Sequence, residues 1–300
     1  MALPNSVSYE TPHSDDLPTR RASWSLDPSR AALLVHDMQR YFVRPFAEDC
    51  PALVTAIDAT AGLIATAREL GLPIAYTAQP GDQDPADRGL LTHVWGPGLT
   101  AAEADTAILD ALAPAPEDTV LTKHRYSAFA RAPFQQWLDD RGRSQLIITG
   151  IYAHIGVTAT AMDAFMRDIE PFVIADAVAD FSLENHRRAL EHVAAISGVV
   201  CTADQAQQAL RAAGPAAGDA WTGWLQSEIA MLLADEQSER LLRADADRDL
   251  FALGLDSLRA FALLDQLADR GVDVDFTEFV GDATVGFLRR QIAAAGVAGP

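Results

Sequence analysis

The sequence predicts an α/β fold in two parts: a three-layer domain with a parallel sheet covered by helices on both faces, followed by a small all-α four-helix unit. Three observations predict it. Between about residues 30 and 205, short β-rich runs alternate with helical stretches, the rhythm of βαβ units. After Cys201 the β-rich runs stop and only helical ones follow. Between the two regimes, Arg211 to Asp219 (RAAGPAAGD) is the small-residue, Gly/Pro-containing type of stretch that joins domains. The expected organisation is therefore a domain over 1–210, a linker over 211–219 and a second domain over 220–300.

Each element has its own signal. Ala31 to His36 (AALLVH) is a continuous apolar run, as a strand covered on both faces requires. Ala52 to Leu70 is helical and is closed by Gly71 as a C-terminal cap. Pro73 to Thr77 (PIAYT) reads as the second strand, Ala102 to Leu112 as a helix and Thr119 to Thr122 as the third strand. Pro133 to Asp140 is helical, Gln145 to Thr149 (QLIIT) a strand and Val157 to Arg167 a helix. Phe172 to Ala175 (FVIA) is the fifth strand. Leu183 to Ser197 is a helix with Ser182 as its N-cap, and Val199 to Cys201 is the sixth strand. The second unit is read as helices over Trp221 to Leu233, Ser257 to Asp269 and Thr284 to Ala295, with a short turn near Phe276 to Val280. The sequence shows no internal repeat.

Composition narrows the function classes. Hydrophobic residues make up 49% of 300 residues, too many for a disordered chain. No apolar run reaches the roughly 18 to 20 residues of a membrane span. The N-terminal MALPNSVSYETPHSDDLPTR looks like neither a secretion signal nor a transit peptide, so the expected compartment is cytoplasmic. Cys50 and Cys201 are too few for a disulfide framework and read as small buried hydrophobes. A net charge of −19 argues against nucleic acid and anionic membranes as partners, since both need a cationic field. Of 23 basic residues, Lys123 is the single lysine, a compact ammonium in a chain that otherwise uses arginine.

In doubly wound sheets the ligand crevice lies beyond the carboxyl ends of the strands. That rule selects Asp37, Gln79, Lys123 and the turn from Gly150 to Gly156. A carboxylate straight after the buried run AALLVH is costly without a task or a partner, so Asp37 leads the candidates. The histidines at His36, His93, His124, His154, His186 and His192 show no i, i+4 or H-x-H arrangement with a carboxylate, so no metal site is expected. His36 and His154 flank the pocket motifs and read as structural.

Asp249 to Leu258 (DLFALGLDSL) is the most specific short motif in the chain. It resembles the attachment motif of acyl, peptidyl and aryl carrier domains, which implies 4'-phosphopantetheine carried on Ser257. A helix N-terminus with free N–H groups suits a phosphodiester. Apolar Leu258 and Phe261 lie on the helix that partner enzymes would grip. The alternative for Ser257 is a plain helix N-cap.

Leu33 to Gln39 (LLVHDMQ), Thr149 to Ala164 (TGIYAHIGVTATAMDA) and Asp176 to Ser182 (DAVADFS) resemble the isochorismatase-like hydrolase superfamily, and the resemblance covers nearly all of residues 1 to 210. Its cysteine hydrolases use an Asp, Lys, Cys triad. Asp37 and Lys123 match the first two, but Gly156 stands at the nucleophile position, and a glycine cannot attack. That departure is similar to the isochorismatases proper, which hydrolyse an enolpyruvyl ether. The pairing with a C-terminal aryl carrier domain resembles the bifunctional enzymes of catechol siderophore assembly.

The resemblance implies a metal-free hydrolysis of isochorismate to pyruvate and 2,3-dihydro-2,3-dihydroxybenzoate, with Asp37 protonating the terminal methylene carbon. Lys123 should lower the Asp37 pKa, whereas burial and a dianionic substrate should raise it, and the substrate's carboxylates are expected to prevail. Gln79, Arg88 and Lys123 would bind carboxylates. Phe42, Trp95 and Tyr126 would form an aromatic wall. Tyr152, in the turn where the superfamily carries a non-proline cis peptide, would hydrogen-bond substrate beside the Gly156 N–H. Phe42 and Trp95 also fit core aromatics, Arg88 a solvated surface charge and Gln79 a loop polar. Implied partners are a phosphopantetheinyl transferase, an aryl-AMP ligase (the adenylation enzyme) and a nonribosomal peptide synthetase condensation domain, with a homodimer as the expected assembly. Two alternatives stay open: hydrolysis of 2-amino-2-deoxyisochorismate, and a non-catalytic carrier and docking protein.

Overall fold

The computed structural model describes residues 6–212, 217–233 and 248–295. The chain divides into two compact units, Met1–Gly214 and Pro215–Pro300.

The first unit is built on a six-stranded, all-parallel sheet in the order β3-β2-β1-β4-β5-β6. Its strands are β1 (Ala31–His36), β2 (Ile74–Ala78), β3 (Thr119–Thr122), β4 (Gln145–Ile151), β5 (Glu170–Ala179) and β6 (Val199–Cys201). Every residue of β1 is buried, because successive side chains point to opposite faces and both faces are covered. Ala31, Leu33 and Val35 pack into one core with α1 (Pro51–Glu69), and Ala32 and Leu34 into a second core with Phe134, Leu138, Ala161, Leu190 and Val193. That second layer consists of α2 (Phe134–Asp139), α3 (Thr158–Phe165) and α4 (Leu183–Ile196), while α5 (Ala203–Ala212) joins α1 on the first face. Two local expectations have their stated geometry. Gly71 follows α1 at φ 69°, and the Ser182 hydroxyl accepts the Asn185 N–H to cap α4.

The chain steps from β1 outward to β2 and β3, then returns to place β4 on the other side of β1. The strand order therefore reverses between β1 and β4, and a crevice opens between their carboxyl ends.

The expected helix over Ala102 to Leu112 is not continuous. Only Glu103–Thr106 and a 3₁₀ turn at Asp110–Leu112 are helical. Between them the backbone bonds to the segment after β1: Arg40 N–H donates to Ala107 O (2.9 Å), Leu109 N–H to Met38 O (3.0 Å) and Gln39 Nε2 to Thr106 O (2.8 Å). These partners replace the i→i−4 ladder a helix would supply. The fifth strand also runs past the expected Phe172 to Ala175, because β5 shifts register at Gly150 and continues to pair Val178 and Ala179 with β4.

The second unit contains α6 (Ala217–Leu233), α7 (Ser257–Ala268), α8 (Phe276–Gly281) and α9 (Val285–Ala295). Trp221, Leu225, Ile229 and Leu233 recur every four residues, so they form one stripe that packs with Leu263, Leu267, Phe279 and Leu288. Of the expected linker, Arg211 and Ala212 close α5 and the last three residues open α6. Residues 213–216 lie outside the described residues.

Candidate active site

The crevice between β1 and β4 is lined by Asp37, Tyr41, Phe42, Gln79, Arg88, Leu91, Trp95, Lys123, Tyr126, Ile151, Tyr152, Ile155 and Gly156. It thus gathers all nine residues expected in the first domain, with four apolar or aromatic neighbours that the sequence reading missed: Tyr41, Leu91, Ile151 and Ile155.

Asp37 follows the last residue of β1 with φ 52°, a left-handed conformation that aspartate adopts more readily than bulky residues. It is 4% exposed. Its Oδ1 accepts from the Thr77 hydroxyl at 2.6 Å and its Oδ2 from Lys123 Nζ at 2.7 Å, with Gln79 Nε2 at 3.3 Å. The Thr77 oxygen in turn accepts the Asp37 N–H at 3.1 Å. Lys123 is also buried, and its backbone N–H donates to Ala78 O (2.9 Å), which fixes its backbone at the end of β2. Burial pushes the Asp37 carboxyl up, but the Lys123 ammonium, His36 and the hydrogen bonds from Lys123 and Thr77 outweigh it and hold the group below the usual carboxylate range. In the unliganded protein Asp37 is therefore a paired carboxylate.

Gln39 was also missed. Its amide donates to Gln79 O and Thr106 O and accepts the Gln79 N–H at 2.7 Å, tying the segments after β1 and β2 together. Both Thr77 and Gln39 lie at or just beyond strand ends, and that placement was the available signal.

Arg88 is 5% exposed, so it is not a solvated surface charge. Its Nε donates to Gly96 O (2.7 Å), while Nη1 is buried without a hydrogen-bond partner. Burial pushes its pKa down. A buried, half-satisfied guanidinium facing a pocket is suited to an anionic ligand. Gly98, at φ 85°, makes room for it, since a β-carbon there would lie 2.5 Å from Nη1.

Phe42 is buried and packs edge-on against Tyr152. Trp95 Nε1 donates to the Tyr126 hydroxyl at 2.8 Å, which joins two segments at the crevice. The Ile151–Tyr152 peptide is cis. One expectation needs correcting. The Tyr152 hydroxyl donates to Phe42 O (2.6 Å) rather than standing ready for substrate, because a buried phenol needs a fixed partner. Its ring lies tilted against that of Phe181, with centroids 4.0 Å apart, and Tyr152 lines the crevice. After it, a π-helical turn over Ala153–Val157 carries Gly156 to the pocket.

His154 is held by Asp180, whose carboxylate lies 2.6 Å from Nδ1 and accepts the His154 N–H at 2.6 Å. Among the described residues, no group of three or more His, Cys, Asp or Glu could hold a metal ion. Nor is any helix among them long and apolar enough to cross a membrane.

In the second unit, Ser257 is the exposed first residue of α7. Asp256, not Ser257, caps the helix, its carboxylate accepting the Arg259 N–H at 2.8 Å. The seryl hydroxyl is therefore not drawn into capping and meets solvent at a helix N-terminus. The residues fit a phosphopantetheine: an exposed hydroxyl beside an exposed carboxylate, with Leu258 81% exposed next to it.

Comparison with known proteins places these features. Residues 31–205 match the isochorismatase domain family, and residues 224–290 match the phosphopantetheine attachment site family. Enterobactin synthase component B of Escherichia coli (strain K12) is 43% identical over 285 residues, covering 95% of this chain and 96% of that protein. Isochorismatase of Bacillus subtilis is 41% identical over 296 residues, covering 95% and 93%. Phenazine biosynthesis protein PhzD of Pseudomonas fluorescens is 48% identical over 204 residues, covering 68% of this chain and 97% of its own length. Among solved structures, an isochorismatase family protein from Burkholderia thailandensis superposes with a TM-score of 0.56 at 29% identity, covering 65% and 99%.

Proposed function

The chain belongs to the isochorismatase family and carries a phosphopantetheine attachment domain behind its hydrolase domain, and from that premise we propose that it is a bifunctional isochorismatase and aryl carrier protein of siderophore biosynthesis. The first domain hydrolyses the enolpyruvyl ether of isochorismate to pyruvate and 2,3-dihydro-2,3-dihydroxybenzoate. The second tethers an aryl acid through 4'-phosphopantetheine on Ser257. The single observation that carries the catalytic reading is the buried Asp37–Lys123 pair at 2.7 Å, beside a glycine where a nucleophile would stand.

The chemistry follows from that arrangement. Substrate brings two carboxylates into a crevice that offers the Lys123 ammonium and the partnerless Nη1 of Arg88. Their negative charge raises the Asp37 pKa, and so does the competition for Lys123, so Asp37 takes up a proton as substrate binds. It then delivers that proton to the methylene carbon of the vinyl ether. The oxocarbenium ion that results is shielded by the rings of Phe42, Trp95 and Tyr152. Water adds to it, its released proton returns to the Asp37 carboxylate, and the hemiketal collapses to pyruvate and the diol. General acid catalysis of this kind contributes about 10²- to 10⁴-fold. The carrier domain requires a phosphopantetheinyl transferase, an aryl-AMP ligase and a downstream condensation domain, and we place the protein in the cytoplasm as a homodimer.

A second reading keeps Asp37 but takes 2-amino-2-deoxyisochorismate. It is favoured by the 48% identity to a phenazine biosynthesis protein that spans only the hydrolase part of this chain. Asp37→Asn tests the catalytic reading against a non-catalytic carrier and docking protein. Loss of pyruvate release with retained loading of Ser257 is expected, and pyruvate release at the wild-type rate would overturn the assignment of Asp37.

A further inference from the structure

Position 156 is closed to any side chain from the neighbouring strand. A β-carbon built on Gly156 would stand 2.2 Å from His36 Cε1, 3.0 Å from Nε2 and 3.1 Å from Nδ1, whereas carbon atoms in contact sit about 3.5 to 4.0 Å apart. These three ring atoms are its nearest neighbours, and the φ of Gly156 lies outside the left-handed region. The backbone there would accept an ordinary residue, so the glycine is demanded by a neighbour, and the nearest one is the imidazole.

The imidazole cannot easily yield. His36 is fully buried, and its strand is paired on both sides, with Thr77 and with Gly150. Its Nδ1–H donates to Ile151 O at 3.0 Å, since a carbonyl only accepts. The backbones of the two strands are also close, since a β-carbon at Gly150 would lie 2.1 Å from the His36 carbonyl oxygen.

We propose that His36 is a positioning residue that sets the reaction class: its imidazole fills the volume a nucleophile on residue 156 would need, so His36 and Gly156 act as one unit that bars acyl transfer and leaves Asp37 to work by proton transfer. The inference rests on the reading of this site as a vinyl ether hydrolase for its meaning, but not for its test. It implies that a thiol cannot be restored by changing position 156 alone.

The test is a double-mutant cycle on the full chain. His36→Asn retains a donor near the Nδ1 position for Ile151 O and removes Cε1 and Nε2. Overpacking by Gly156→Ala should lower the melting temperature by roughly 4 to 10 °C with His36 present, and by less than half of that in the His36→Asn or His36→Ala background. The readout specific to reaction class is chemical. The thiol introduced by Gly156→Cys together with His36→Asn should be alkylated by iodoacetamide about tenfold faster than the wild-type protein, whose Cys50 is buried and whose Cys201 thiol is pushed up to about 12 by burial. A Gly156→Ala protein as stable as wild type would overturn the proposal. So would a loss of stability on Gly156→Ala as large in the His36→Asn and His36→Ala backgrounds as with His36 present. No readout uses isochorismate, so failure of the substrate reading shows separately, as wild-type protein that releases no pyruvate.

Discussion

Replacing Lys123 with methionine should reverse the pH dependence of stability at Asp37. The two side chains are 3% and 6% exposed and 2.7 Å apart, so this is a buried pair, and removing one partner of such a pair costs about 3 to 5 kcal/mol. At about 2 to 4 °C per kcal/mol for a domain of this size, the melting temperature at pH 7 should fall by roughly 6 to 20 °C. The sign of the pH effect is worked from the carboxyl. In the wild type its folded pKa lies below the unfolded value, so its contribution is fully present above about pH 4 and is lost as pH falls through the folded value. Without the ammonium, burial is the largest remaining influence and lifts the folded pKa above the unfolded one. The contribution is then present below about pH 4 and is lost as pH rises through the raised value. Relative to wild type, Lys123→Met should therefore lose stability from pH 4 to 7, at up to about 1.4 kcal/mol per unit. Background titrations such as that of His186, lowered to about 4 by burial, cancel in the difference. Urea denaturation of both proteins at several pH values measures it. Parallel curves, or a variant as stable as wild type at pH 7, would refute the coupling.

Three further outcomes are expected. Asp37→Asn should lower kcat for pyruvate release by about 10³-fold or more while CoA-dependent modification of Ser257 continues, as read by steady-state kinetics and intact mass. Arg88→Met should raise KM by about tenfold or more with a smaller change in kcat, because the buried Nη1 donor would then be missing for the substrate carboxylate. Ser257→Ala should abolish the mass gain from a phosphopantetheinyl transferase and leave pyruvate release unchanged; modification of the Ser257→Ala protein would show the attachment site to be elsewhere.

Alternation of apolar runs with helical patterns made the sheet legible, since AALLVH can be buried on both faces only inside a parallel sheet. The strand-end rule then pointed to Asp37, Gln79 and Lys123, because β1, β2 and β3 deliver them to one edge. What the sequence hid depends on contacts between distant segments. Ala102 to Leu112 carries a helical pattern, but its backbone is recruited by Met38, Gln39 and Arg40. Thr77 reads as an ordinary strand residue until its hydroxyl is seen on Asp37. The Tyr152 hydroxyl is spoken for by a carbonyl 110 positions away. Arg88 is the clearest case: nothing local distinguishes a buried guanidinium from a solvated one, and only the glycines at 96 and 98 that wrap it decide the matter.

The central claim is most directly tested by pyruvate release, coupled to NADH oxidation by lactate dehydrogenase, with isochorismate and 2-amino-2-deoxyisochorismate offered side by side, with and without EDTA. Release from isochorismate in preference to the amine, unchanged by EDTA, is the predicted result. Preference for the amine would move the protein to the second reading, and no pyruvate from either substrate would contradict the assignment of catalysis to Asp37 and Lys123.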